Sequence, residues 1–212
     1  MTLRGLYVIT PDDADSSRLE DRVRALLAAA AQDCAALQYR NKTASAALRM
    51  EQARRLALLA RASAVSFIIN DDVELAAAVD ADGVHLGGDD GDIDTARRAL
   101  PGKLLGVSCY DSIAAARAAV AAGADYVAFG SVFPSGTKPG AVRAPLRLFR
   151  EAGALGVPLV AIGGITLENA AGVLDAGADA LAVISALFDA PEIGKRARAF
   201  ARLFAAEPRT IA

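Results

Sequence analysis

The chain has 212 residues, 54% of them hydrophobic and 23% charged, with 23 basic and 25 acidic side chains for a formal charge of −2. That length supports a substantial core without disulfide or metal staples, and that composition excludes a disordered chain. The balanced charge gives no bulk electrostatic basis for binding nucleic acid or an anionic membrane, so phosphate recognition has to be built from a few placed groups.

No apolar run reaches the roughly 20 residues of a membrane span, and the longest, around 114–130, is interrupted by Arg117 and Asp125. The opening MTLRGLYVITPDD reads as a first strand rather than a leader, because its apolar stretch is short and meets Pro11, Asp12 and Asp13. Cys34 and Cys109 are far apart in the chain and read as reduced thiols of a cytoplasmic protein.

Runs rich in branched residues occur at 5–10, 36–40, 66–70, 83–86, 104–108, 126–130, 158–163 and 180–187. Their continuous apolar character suits strands buried on both faces, as in a parallel sheet. Helix-like segments alternate with them at 17–32, 45–62, 73–79, 93–99, 112–122, 145–151, 167–175 and 191–204, with Asp111 and Thr166 at expected N-cap positions. Ala121-Ala122-Gly123-Ala124-Asp125, Asp175-Ala176-Gly177-Ala178-Asp179 and the weaker Val79-Asp80-Ala81-Asp82-Gly83 each end a helix and enter a strand. They read as helix-to-strand loops on the stability face, away from the chemistry. Eight right-handed βα units over 1–212 predict one α/β domain, a (β/α)₈ barrel. An open doubly wound sheet finds less support, since no glycine-rich nucleotide fingerprint follows a strand.

In such a barrel the chemistry sits where strands end. The second run ends in Gln38-Tyr39-Arg40-Asn41-Lys42, whose alternate members Gln38, Arg40 and Lys42 share one side and suit a phosphate or diphosphate. Asp71 and Asp90 follow neighbouring strands and suit Mg²⁺, while Asp71, Asp72 and Asp92 are also placed to cap helices. Asp90-x-Asp92-x-Asp94 is no calcium loop, because Thr95 and Pro101 stand where Gly and Glu are needed. One histidine and two distant cysteines do not make a zinc site. Gly163-Gly164 before a helix offers backbone amides to an anion, and Ser185 on the last strand adds a hydroxyl. The stretch 134–140 is a loop able to close over a ligand with Lys138. His85 reads as a packed barrel residue, and Cys109 has no base to activate it.

The motifs GLYVITPD, QYRNK, FIINDD, GVHLGGDD, LLGVSCY, GADYVAFGSVFPSGTKPGA, VAIGGIT and ALAVISALF, in this order, resemble those of the thiamine phosphate synthase family over nearly the whole chain. The resemblance implies a transferase that joins 4-amino-2-methyl-5-hydroxymethylpyrimidine diphosphate to 4-methyl-5-(2-phosphoethyl)thiazole, or its 2-carboxylate, releasing pyrophosphate. It assigns Gln38, Tyr39, Arg40, Asn41, Lys42, Asn70, Ser108 and Lys138 to the pyrimidine diphosphate, with Arg40, Lys42, Lys138 and Ser108 carrying the chemistry. Asp71 and Asp90 would bind Mg²⁺, and Ser135, Gly136, Thr137, Gly164, Ile184 and Ser185 would hold the thiazole phosphate. Gly88 stands where the family commonly has Gln, and Ser135 where Thr is common. A thiazole tautomerase relative and a non-catalytic thiazole phosphate sensor are the rival readings; neither needs the diphosphate set. The partners implied are small molecules, and a homo-oligomer is left open.

Overall fold

A computed structural model describes residues 3–87, 92–134 and 142–205. The branched-chain runs form β1 (Gly5–Ile9), β2 (Cys34–Tyr39), β3 (Phe67–Asn70), β4 (Gly83–Leu86), β5 (Leu104–Tyr110), β6 (Tyr126–Gly130), β7 (Leu159–Ile162) and β8 (Ala180–Val183). The strands close into a barrel in sequence order, with β1 pairing parallel to both β2 and β8. Between them lie α1 (Ser16–Ala30), α2 (Ala46–Ala62), α3 (Val73–Ala78), α4 (Ile93–Ala99), α5 (Ile113–Ala121), α6 (Arg147–Ala152) and α7 (Leu167–Asp175). Two further helices follow β8: α8 (Ser185–Phe188) and α9 (Ile193–Ala201). The predicted (β/α)₈ barrel is the observed fold.

Both strand faces are buried, which is why the runs are continuously apolar. Outward residues such as Leu6, Val8, Leu37, Ile69, Val127 and Leu181 pack under the helices. Inward residues Tyr7, Ile9, Ala36, Ile68, Tyr126, Ala128, Val160, Ala180 and Ala182 form a separate interior cluster. Its alanines leave space that the two tyrosine rings fill. The helices dock by stripes at helical spacing: α1 buries Leu19, Val23, Leu26, Leu27 and Ala30, and Asp15 caps it by accepting from the amides of Ser17 and Arg18.

The helix-to-strand repeats have a specific job. Asp82 Oδ2 accepts from the Phe67 amide at 2.8 Å, and the Asp82 amide donates back to the Phe67 carbonyl at 2.8 Å. Asp125 makes the same reciprocal pair with Leu105, and Asp179 with Leu159, again at 2.8 Å in each direction. Each aspartate thus clasps the first or second residue of the preceding strand, giving its amide a side-chain acceptor.

Two expectations need correction. The last strand does not run to Leu187: it ends at Val183, and Ser185–Phe188 is a helical turn closed by the amides of Leu187 and Phe188 on the Ile184 carbonyl. Ser185 therefore begins a short helix instead of sitting in a strand. The cap of α5 is not Asp111 but Ser112, whose hydroxyl accepts from the Ala115 amide at 3.1 Å; Asp111 stands one residue too early. Thr166 does precede α7, and its amide is held by Asn169 Oδ1 at 2.9 Å.

Candidate active site

The C-terminal ends of the strands surround a cavity of about 500 Å³. Gln38, Arg40, Lys42, Asn70, Asp71, Ser108, Gly164, Ile184 and Ser185 all line it, so the structure gathers most of the predicted residues at one mouth. Asp90, Ser135, Gly136, Thr137 and Lys138, with Gly88, lie outside the described residues.

The basic wall is built from β2 onward. Gln38 faces inward and is buried, donating from Nε2 to the Tyr7 hydroxyl at 3.0 Å. Arg40 follows the strand; Thr10 Oγ1 donates to its carbonyl and accepts from its amide, both at 2.9 Å. Asp12 accepts from the Arg40 guanidinium at 3.2 Å and from the Lys42 amide at 2.7 Å. The loop after β1 thereby aims the Arg40 guanidinium and fixes the backbone at Lys42, a role the sequence reading did not give to Asp12.

Tyr39 and Asn41 do not line this cavity. Alternation turns them outward, behind the basic wall. The Tyr39 hydroxyl and Asn41 Nδ2 donate to Gln52 Oε1 at 2.9 and 3.1 Å, while Asn41 and Gln52 both donate to the Asp13 carbonyl. Asn41 Oδ1 accepts from the amides of Thr43 and Ala44. All of these side chains are buried. The pair therefore forms a hydrogen-bonded knot under the strand end, beside a second cavity of about 350 Å³.

Asp71 carries its carboxylate on strained backbone, at φ 64°. Its amide donates to the His85 carbonyl at 2.8 Å, its Oδ2 accepts from Asn70 Nδ2 at 2.5 Å, and the Lys42 ammonium stands 3.1 Å away. Helix capping falls instead to Asp72 and Asp92, which accept from Leu75 and Thr95. Asp71 is thus released from capping to face the cavity. Tyr110, at φ 52°, repeats this bend at the end of β5. Among the described residues, Asp71 and Asp189 are the carboxylates lining the cavity, and no three His, Cys, Asp or Glu side chains cluster as a metal cage.

The third wall follows β7 and β8. Gly163 and Gly164 have φ of 102° and 62°. A Cβ on Gly163 would meet Ser131 Oγ at 2.1 Å, and one on Gly164 the Pro134 carbonyl at 2.2 Å. Only glycine lets the end of β7 lie this close to the segment that follows β6. Ser185 sits beside it at the start of α8, the position where barrels of this kind commonly take a phosphate.

His85 is buried in β4, with Nδ1 3.1 Å from the Tyr126 hydroxyl and Nε2 2.9 Å from Ser108 Oγ. Burial lowers its pKa from 6.5 to about 4, against the opposing pull of Asp71, so the ring is neutral near neutral pH. The Tyr7 and Tyr126 hydroxyls meet at 2.7 Å, and burial raises both of their pKa values. Burial also pushes the Cys109 thiol up to about 12, leaving no nucleophile there. The signal for Tyr7 and Tyr126 was available in the sequence: polar-tipped rings at inward positions of otherwise apolar strands.

Residues 6–187 match the thiamine monophosphate synthase family. The chain is 60% identical over 204 residues to a thiamine-phosphate synthase of Aromatoleum aromaticum, covering 95% of this chain and 97% of that protein. It is 58% identical over 203 residues to one of Methylobacillus flagellatus, covering 95% and 96%. The solved structure of thiamine phosphate pyrophosphorylase from Pyrococcus furiosus superposes with a TM-score of 0.84 at 36% identity, covering 96% of each chain.

Proposed function

The chain belongs to the thiamine monophosphate synthase family, and we propose that it carries out that transfer as a dissociative, magnesium-assisted substitution at the barrel mouth. Its function is that of a thiamine phosphate synthase, and in our reading the reaction joins the pyrimidine diphosphate to the thiazole phosphate with release of pyrophosphate. We take residues 1–212 as one catalytic barrel domain working in the cytoplasm, a setting that suits the free thiols Cys34 and Cys109.

One observation carries the mechanistic reading. Arg40, Lys42 and Asp71 line the same cavity as Gly164 and Ser185, so diphosphate-type and phosphate-type groups face one apolar chamber. In the reaction, the bond between the pyrimidine methylene carbon and the diphosphate oxygen breaks. The electron pair leaves with pyrophosphate, and the thiazole nitrogen then attacks the resulting cation. Negative charge grows on the leaving group, where Arg40 and Lys42, with Lys138 by sequence, stabilise it more than they stabilise the ground state. Ser108 donates a hydrogen bond to the same diphosphate. Ile9, Ala128, Val160 and Ile162 line an apolar interior that keeps water from the cation. Gly164, Ile184 and Ser185, with 135–137, hold the thiazole phosphate so that its nitrogen faces the reacting carbon. No group has to abstract a proton, in keeping with a neutral His85 whose two ring nitrogens are taken up by Tyr126 and Ser108.

The donor set fits a hard cation. Asp71 presents carboxylate oxygen, and the Lys42 ammonium at 3.1 Å shows positive charge already accommodated there. Asp71 and Asp90 would hold Mg²⁺, which supplies further neutralisation of the leaving pyrophosphate.

Incubation of the purified protein with both substrates and Mg²⁺ tests the reading. Thiamine phosphate and pyrophosphate should form, stop with EDTA and resume with added Mg²⁺. Binding of the thiazole phosphate without product would overturn it in favour of a tautomerase-like or sensing role.

A further inference from the structure

The barrel interior holds a polar chain that crosses five strands. Gln38 Nε2 donates to the Tyr7 hydroxyl at 3.0 Å, and that hydroxyl meets Tyr126 at 2.7 Å. Tyr126 meets His85 Nδ1 at 3.1 Å, and His85 Nε2 meets Ser108 Oγ at 2.9 Å. The His85 ring stacks on Tyr126 at 5.6 Å and 27°. Tyr7 and Tyr126 are wholly buried, and both ends of the chain, Gln38 and Ser108, line the cavity.

Proton counting gives this chain a direction. With the Gln38 amide nitrogen turned to Tyr7, Gln38 gives a proton to Tyr7, so the Tyr7 proton passes to Tyr126 and the Tyr126 proton to His85 Nδ1. That nitrogen is then bare, and the imidazole proton sits on Nε2, facing Ser108 Oγ. The serine accepts there and keeps its own proton for the cavity. Run the other way, Tyr7 receives protons from both Gln38 and Tyr126, and its own has no acceptor in the chain. A buried hydroxyl in that state is penalised.

We propose that this chain is a one-way hydrogen-bond relay that holds His85 as its neutral Nε2–H tautomer and turns the Ser108 hydroxyl toward the leaving diphosphate as a donor. His85 and Tyr126 are then positioning residues for the transfer. A serine whose proton is spent on His85 offers only lone pairs, which repel a phosphate oxygen. The relay direction is a property of the protein alone, whereas its use in turnover rests on the function proposed above.

The chain has one histidine. Untagged protein labelled with ¹⁵N-histidine therefore reports on His85 alone, by two-bond ¹H–¹⁵N correlation at neutral pH. The expected result is a protonated Nε2, a bare Nδ1 and no exchange between tautomers. A proton on Nδ1, a rapid mixture, or an imidazolium overturns the relay, and no variant has to fold for that outcome. Tyr126→Phe should release Nδ1 and produce a mixture. Tyr7→Phe should leave the Nε2–H form, because Tyr126 still donates.

Turnover supplies the second arm. His85→Leu should lower kcat about tenfold, the scale of losing one oriented hydrogen bond, with KM for the thiazole phosphate unchanged. His85→Gln, whose amide can still donate to Ser108, should recover most of that loss. A folded His85→Leu protein with full kcat overturns the positioning role. An Nε2–H tautomer in a wild-type protein without synthase activity supports the relay and overturns the proposed reaction instead.

Discussion

Gly106 on β5 and Tyr126 on β6 are paired across the sheet so closely that a Cβ on Gly106 would lie 2.0 Å from Tyr126 Cζ and 2.3 Å from its hydroxyl. The missing side chain is the space the ring occupies. Gly106→Ala should therefore displace Tyr126 and cost about 1–3 kcal/mol, as overpacking of a filled core does. A thermal melt checks this; an unchanged Tm would mean the ring has another place to go.

Asp71 combines a strained backbone with a charge at the cavity. Asp71→Asn keeps the small polar side chain that tolerates φ near 64° but loses the carboxylate. Turnover at saturating Mg²⁺ should fall by at least roughly a hundredfold, with little change in Tm. Near-wild-type turnover would remove Asp71 from the metal site.

The knot under the basic wall predicts a different signature for Asn41. Asn41→Ala takes one of two donors from the Asp13 carbonyl and strands the amides of Thr43 and Ala44. It should cost about 2 kcal/mol of stability and raise KM for the pyrimidine diphosphate together. Lys42→Gln, by contrast, should alter kinetics while leaving the melt in place. Direct ligation by Asn41 would instead give a kinetic loss with full stability.

His85 makes stability depend on pH. Its pKa is 6.5 unfolded and about 4 folded, so between those values the unfolded chain binds the extra proton. Stability is then complete above pH 6.5 and is lost as pH falls toward 4, by up to about 3 kcal/mol. Denaturant unfolding of wild type and His85→Gln across this window should show that slope in wild type and lose it in the variant. Parallel slopes would mean His85 titrates normally in the fold.

The Asp82 clasp is separate from the chemistry. Asp82→Ala should destabilise by about 1–2 kcal/mol through the unpaired Phe67 amide, with turnover per folded molecule unchanged.

Sequence patterning exposed the barrel because strands buried on both faces leave uninterrupted branched runs, and Gln38, Arg40, Lys42 and Asp71 stood at their ends. Side-chain direction was the harder part. Tyr39 and Asn41 sit between cavity residues in sequence, yet strand alternation sends them to Gln52, a partner 13 and 11 positions away that no local motif marks. The end of β8 was missed because Ala180–Leu187 is apolar apart from Ser185, and apolarity alone does not separate a strand from a buried helical turn. His85 was correctly read as packed in the barrel, but its partners Tyr126 and Ser108 lie 41 and 23 residues on, and only closure of the barrel brings them to it.

The clasps also bear on how the barrel breathes. Asp82, Asp125 and Asp179 tie β4 to β3, β6 to β5 and β8 to β7, so strand couples clasped at their N-terminal ends alternate with seams that carry no such clasp. Amide protons should then exchange with solvent in a rhythm of two strands, the couples β3–β4, β5–β6 and β7–β8 each opening as a unit. A protein whose catalytic mouth is assembled from every strand would thus loosen by quarters, from the opposite end.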